Sequence, residues 1–153
     1  MGVDQAGGLK DLAVVPIEGG TAVVEWGRVR FADMPQFQRG ARARVDAALK
    51  RQGVVGAGPA VTFSRPPSGE TIEVAVGVMV EAAFEPVDAI TVQAIPSGRA
   101  ARARLEAPYE TLPQAWRSFM AWVAAERLRP SGLHWEVYTD PSGPVTELYT
   151  LLD

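Results

Sequence analysis

The hydrophobic and polar residues of this chain alternate in short blocks that predict strands arranged around two helices. Branched apolar residues run together or alternate with polar ones, and Gly or Pro clusters separate the blocks. Turns are predicted at 66–69 and 140–144, where Pro, Ser and Gly gather. Strands are predicted at 12–17, 21–30, 59–64, 71–80, 89–95, 99–105, 135–139 and 145–151.

Two segments carry apolar residues at the three- and four-residue spacing of an amphipathic helix. The first is predicted to begin after Asp33 as its N-cap and to end at Gly53. The second is predicted to begin after Thr111 and to stop at 130–132. The apolar positions are Phe37, Ala41, Val45, Ala48 and Leu49 in the first helix and Leu112, Ala115, Phe119 and Val123 in the second.

The two halves of the chain resemble each other. An ungapped alignment of the two halves pairs Met34-Pro35-Gln36 with Leu112-Pro113-Gln114 and also pairs Gly20 with Gly98. A duplication is therefore predicted, with each half running strand, helix, strand, strand. The first strand of each half is predicted as one strand broken by a short turn, at 12–17 with 21–30 and at 89–95 with 99–105. The expected organisation is a flexible N-terminus over residues 1–8 and one domain over 9–153, built of repeats at 9–80 and 89–153.

Alternation within the later strands predicts which side chains face the helices. Residues 72, 74, 76, 78 and 80 form an unbroken branched aliphatic face, which must pack on a helix. The same parity in the second half turns Leu148 toward the helix and Glu147 and Tyr149 away from it. Val61 and Val137 are the predicted core-facing pair of the neighbouring strands, which puts Glu136 and Tyr138 on the face away from the helices.

Carboxylates and phenols are thus expected to converge on one side of the second half, opposite small residues of the first half. A half-buried carboxylate ringed by aromatic side chains suits a cation or a polar ligand. The alternative role for Glu147 is structural, an ion pair with Arg99, Arg102 or Arg104. For the tyrosines it is packing, with their hydroxyls at a rim.

The amino-acid composition excludes most other kinds of functional site. The chain has 153 residues, net charge −3, no cysteine and a single histidine, His134. Disulfides, thiolate metal sites and cysteine nucleophiles are excluded, and neither metal nor cofactor is predicted. The chain has no run of roughly 18 apolar residues, so no membrane span is predicted. The N-terminus lacks the pattern of a signal peptide, so a cytoplasmic location is expected. Alternating arginine pairs in a net negative chain indicate solvated faces, and no direct nucleic-acid partner is predicted.

An ordered set of short motifs is similar to a known family. The segments are 95–101 (IPSGRAA), 107–112 (APYETL), 128–132 (LRPSG), 135–138 (WEVY) and 146–149 (TELY). Together they resemble the GyrI-like small-molecule-binding domain, also called the AraC-type effector-binding domain. The likeness covers about residues 9–153 and is strongest from Ile95 onward.

The resemblance implies an α+β fold of two SHS2-type repeats about a pseudo-twofold axis, with a ligand cleft between the repeats. With the strand parity, this predicts an antiparallel sheet that carries helices on one face and the cleft on the other. In drug-sensing relatives the glutamate matching Glu136 contacts cationic aromatic ligands among tyrosines. Other relatives are effector domains of transcription factors, and a subset resembles hydrolases that open strained cyclopropyl rings. No DNA-binding region precedes residue 9, so a transcription-factor role within this chain is not expected.

The leading hypothesis is a stand-alone protein that senses or sequesters a hydrophobic or cationic aromatic compound. The alternative is a hydrolase in which Glu136 is the general acid/base and Tyr138 or Tyr109 polarises the electrophile. A protein-interaction module, such as a topoisomerase inhibitor, is a third reading, and a homodimer or a separate protein partner remains open. The predicted ligand-binding residues are Glu136, Tyr138, Tyr109, Tyr149, Glu147, Trp116, Trp26 and Phe31.

Overall fold

The computed structural model of the chain describes residues 8–54, 58–140 and 145–153. Part of the predicted turn at 140–144 lies outside the described residues. Short 3-10 turns at Phe31–Asp33 and Tyr109–Thr111 lead into the two helices. The elements are β1 (Leu9–Ile17), β2 (Gly20–Arg30), α1 (Met34–Arg51), β3 (Ala60–Ser64), β4 (Thr71–Val80), β5 (Ile90–Ile95), β6 (Gly98–Glu106), α2 (Leu112–Ala125), β7 (Pro130–Asp140) and β8 (Val145–Leu152).

The first compact unit spans Glu18–Ser97 and contains β2 to β5 with α1. Its strands are ordered β3-β4-β2-β5 and every pair is antiparallel. Ala41 of α1 packs against Val74 and Val76, which confirms the helix-facing side predicted for β4. Gly27 allows close approach of the helix, because a Cβ there would lie 2.6 Å from the ring of Phe37.

The second compact unit joins β1 to β6, α2, β7 and β8. Its strands are ordered β1-β6-β8-β7 and are again antiparallel. Phe119 and Val123 of α2 pack against Leu105 and Leu148, the helix-facing side of this sheet. The predicted α+β class with antiparallel strands is confirmed. No helix in the described residues is long and apolar enough to cross a membrane.

The chain does not continue from 12–17 into 21–30 as one broken strand. β1 pairs with β6, whereas β2 pairs with β4 and β5. Each compact unit therefore takes its outer strand from the other half of the sequence. A hydrophobic pattern marks a strand but carries no information about its partner, so this exchange was not visible in the sequence.

Helix ends follow the prediction in one case and depart from it in the other. Gly53 follows α1 with φ 70°, as a C-terminal glycine requires. α2 ends at Ala125, and Arg127 adopts the left-handed conformation with φ 59°. The predicted stop at 130–132 is wrong, because those residues begin β7. Asp33 and Thr111 occupy N-cap positions, but neither side chain caps its helix.

The face predicted for Val61 and Val137 is also wrong. Val61 lies opposite Gly77, and Val137 lies opposite Glu147. Directly opposed residues of an antiparallel pair point to the same face, so both valines face away from the helices. Because side chains alternate with a period of two, a one-residue difference in register moved the whole strand to the other face.

Candidate functional site

The carboxylate of Glu136 is held by two donors on the helix-bearing face of the second unit. The indole Nε1–H of Trp116 donates to Oε2 at 2.5 Å, and the Tyr138 hydroxyl donates to Oε1 at 2.6 Å. Glu136 lies opposite Leu148, a core residue under α2, so it shares the face of that helix. One donor comes from α2 and one from the same strand, which fixes the orientation of the carboxylate.

The prediction that Glu136 and Tyr138 lie on the face away from the helix is therefore wrong. The register of β7 with β8 aligns Glu136 with Leu148 and Tyr138 with Thr146. Both partners belong to the helix-facing set of β8. The register is interrupted between Pro130 and His134, where β7 contains an irregularity that parity counting from the sequence cannot locate.

Aromatic rings surround this carboxylate. Tyr109, in the 3-10 turn before α2, meets Tyr138 edge-on with ring centroids 6.0 Å apart. Trp116 also contacts the ring of Phe119 at 5.6 Å, so its indole is fixed by the core of the unit. Tyr109 is 49% exposed and is the solvent-facing member of the group. The four predicted residues Glu136, Tyr138, Tyr109 and Trp116 are thus brought together.

His134 is a neighbour of this cluster that sequence reasoning left out. Its ring lies edge-on to Trp116 with centroids 5.9 Å apart. Its Nδ1 lies 2.8 Å from the hydroxyl of Thr150. Burial lowers the pKa of the imidazole below its ordinary value, so the ring is neutral near pH 7. The available signal was its spacing of two residues from Glu136, which puts both on one face of β7.

Glu147 and Tyr149 form a separate pair on the opposite face of the same sheet. The Tyr149 hydroxyl donates to Glu147 Oε1 at 2.9 Å, and its ring stacks on Trp135 with centroids 5.2 Å apart. Burial, followed by the bond to Glu147, raises the pKa of Tyr149 to about 12. This phenol stays protonated at ordinary pH, and the expected convergence of Glu147 and Tyr149 with Glu136 does not occur.

Trp26 and Phe31 belong to the first unit. Trp26 lies opposite Ala75 on the face away from α1, and the guanidinium of Arg65 stands 4.4 Å from the centre of its ring. Phe31 is 49% exposed in the turn before α1. A shallow groove of about 440 Å³ in this unit is bordered by Val80 and Phe84 and includes none of the predicted residues. Within the described chain, no group of three His, Asp or Glu side chains is placed to hold a metal ion.

Comparison with known proteins decides the family. Residues 34–152 match the GyrI-like small molecule binding domain. The chain belongs to this family. Among curated proteins no sequence match is found for this GyrI-like domain.

Solved structures of low sequence identity share the fold of this GyrI-like domain. The EcmrR C-terminal domain is 16% identical with a TM-score of 0.73, over 94% of this chain and 97% of that one. EcmrR in complex with DNA is 17% identical with a TM-score of 0.72, over 95% of this chain and 58% of that one. This chain therefore spans little more than half of that relative.

Two further structures that share the fold are a ligand complex and a hydrolase. SAV2435, solved bound to tetraphenylphosphonium, is 9% identical with a TM-score of 0.67, over 94% of each chain. A hydrolase from Listeria innocua is 12% identical with a TM-score of 0.63, over 94% of this chain and 92% of that one. At these identities the likeness shows the fold alone.

Proposed function

We propose that this GyrI-like domain senses or sequesters a small cationic aromatic compound, bound beside Glu136 on the helix-bearing face of the second unit. A carboxylate supplies charge complementarity, and the neighbouring rings supply apolar area and a negative π-face. SAV2435, which shares the fold, was solved bound to tetraphenylphosphonium, an aromatic cation.

The proposal rests on the carboxylate of Glu136, which accepts a hydrogen bond at each of its two oxygens. Trp116 and Tyr138 each donate to a different oxygen, so the group is oriented before a ligand arrives. Preorganisation lowers the entropy that binding must overcome.

Titration of the protein with tetraphenylphosphonium tests this role, by calorimetry and by quenching of tryptophan fluorescence. We expect Glu136→Gln to weaken binding by about tenfold or more, because it removes one charge a few ångströms from the cation. Glu147→Gln is the matched control, since that carboxylate lies on the other face and binds Tyr149. Equal affinities for wild type and Glu136→Gln would contradict the proposal.

A hydrolase of the same site is the second candidate. It is favoured by the 2.6 Å bond between the Tyr138 hydroxyl and Glu136, which pairs an acid with a base in one cluster. Glu136 would then activate water while Tyr109 or Tyr138 polarises an electrophile such as a strained cyclopropyl ring. The test is turnover of such a substrate, which should vanish in Glu136→Ala. Equal rates in wild type, Glu136→Ala and buffer would exclude this reaction.

A further inference from the structure

His134 lies beside the proposed ligand site, next to Trp116. It is two residues from Glu136 on β7, and residues at this spacing lie on one face about 7 Å apart. Trp116 links the two side chains, because its indole N–H bonds Glu136 while its ring meets the imidazole edge-on at 5.9 Å. An ionisable ring therefore stands within electrostatic range of the carboxylate.

On the face of β7 and β8 that carries His134, the neighbouring acidic side chain is Glu136. Thr150 is its contact on β8, whereas Glu147 and Tyr149 of that strand point to the other face. Arg117 is the ionisable residue of α2, and its exposed guanidinium donates to Gln114.

The contact with Thr150 accommodates both charge states of the ring. Its hydroxyl lies 2.8 Å from Nδ1, and a hydroxyl can donate to a neutral ring nitrogen or accept from a protonated one. Protonation therefore does not require the ring to leave its position. The new charge instead appears on the same face as Glu136.

We propose that His134 is a charge-sensing residue of the Glu136 site, whose protonated ring competes with a cationic ligand for that carboxylate. The inference rests on the proposed function, because it assumes that Glu136 attracts the cation. A positive imidazolium on the same face, with its Cα about 7 Å from that of Glu136, offsets part of the carboxylate's charge and also repels the ligand. Acidification then releases the cation, and binding of the cation opposes protonation of His134 by the same factor.

The first test needs no ligand. His134 is the chain's single histidine, so its ring proton signals are assigned without ambiguity in an NMR titration. We expect the ring to titrate at lower pH in Glu136→Gln than in wild type, because the variant removes the attraction of the carboxylate. Glu147→Gln should leave the midpoint unchanged. Equal midpoints in wild type and Glu136→Gln would overturn the inference.

The second test measures tetraphenylphosphonium affinity between about pH 5 and pH 8, since this cation does not itself titrate. Wild type should bind about three- to sevenfold more weakly at the acidic end, as expected for unit charges about 7 Å apart at an effective dielectric constant of roughly 40–80. His134→Gln should lose this difference, and neutral triphenylphosphine oxide should show none. The same pH dependence in wild type and His134→Gln would overturn the inference even if Glu136→Gln failed to fold.

The two proposals fail in different ways. If tetraphenylphosphonium does not bind at about pH 8, the proposed cation site is contradicted. The NMR midpoints still decide whether His134 and Glu136 are coupled. If the cation binds and Glu136→Gln weakens it, but pH has no effect through His134, only the further inference is wrong.

Discussion

Replacing Trp116 by phenylalanine removes one hydrogen bond to Glu136 while keeping an aromatic ring at the core of the second unit. The indole N–H donates to Oε2 at 2.5 Å, and the ring packs on Phe119. A hydrogen bond to a charged group contributes about 1.5–3 kcal/mol to stability. Trp116 and Glu136 are both half-buried. Water can therefore replace part of the bond, and we expect a loss of about 1–2 kcal/mol in the free energy of unfolding.

Equilibrium unfolding in urea measures this loss, and titration with tetraphenylphosphonium measures the accompanying loss of affinity. The control is Trp122→Phe, a substitution of the same kind on the same helix. Trp122 is also half-buried and stacks on Phe119 with centroids 6.4 Å apart. Trp116→Phe should lose more ligand affinity than Trp122→Phe. Equal losses of stability and affinity in the two variants would refute the role given to the indole N–H.

Three further predictions concern single side chains of the second unit. In a spectrophotometric titration one of the three tyrosines should ionise near pH 12, and Tyr149→Phe should remove that phase. Its raised pKa stabilises the fold fully below pH 10, and this contribution is lost as pH rises from 10 toward 12. The lowered pKa of His134 means that stability falls as pH drops below about 6.5, and His134→Gln should flatten that slope in urea unfolding. Thr146→Val should raise the free energy of unfolding by about 1 kcal/mol, because the buried hydroxyl has no hydrogen-bond partner among the described residues. The urea midpoint should rise accordingly, and a lower midpoint would contradict this.

The sequence was sufficient for the strands and for most helix boundaries. β4 occupies the predicted residues 71–80, and Gly53 terminates α1 as expected. These features depend on local spacing and on the conformational freedom of glycine, which a single sequence displays. The predicted duplication stays a prediction, and nothing in the strand pairing tests it.

The site could be predicted only in part, because the identity of a residue does not determine on which face of the sheet its side chain lies. Glu136, Tyr138, Tyr109 and Trp116 were all expected in the site, and the structure brings them together. The face predicted for Glu136 and Tyr138 was wrong because it depends on the register of β7 with β8, and register is a tertiary property. The same register error predicted that Glu147 would converge with Glu136, although Glu147 accepts a hydrogen bond from Tyr149 on the other face.

The central claim is that an aromatic cation binds beside Glu136 and Trp116. The most direct measurement is a titration of ¹⁵N-labelled protein with tetraphenylphosphonium, observed at the four indole N–H signals. Trp116→Phe and a corresponding Trp135→Phe variant assign the two signals that matter. Saturable shifts of the Trp116 signal, larger than those of Trp135 on the face of Tyr149, are predicted. A Trp116 signal that stays fixed while the ligand binds would contradict the account.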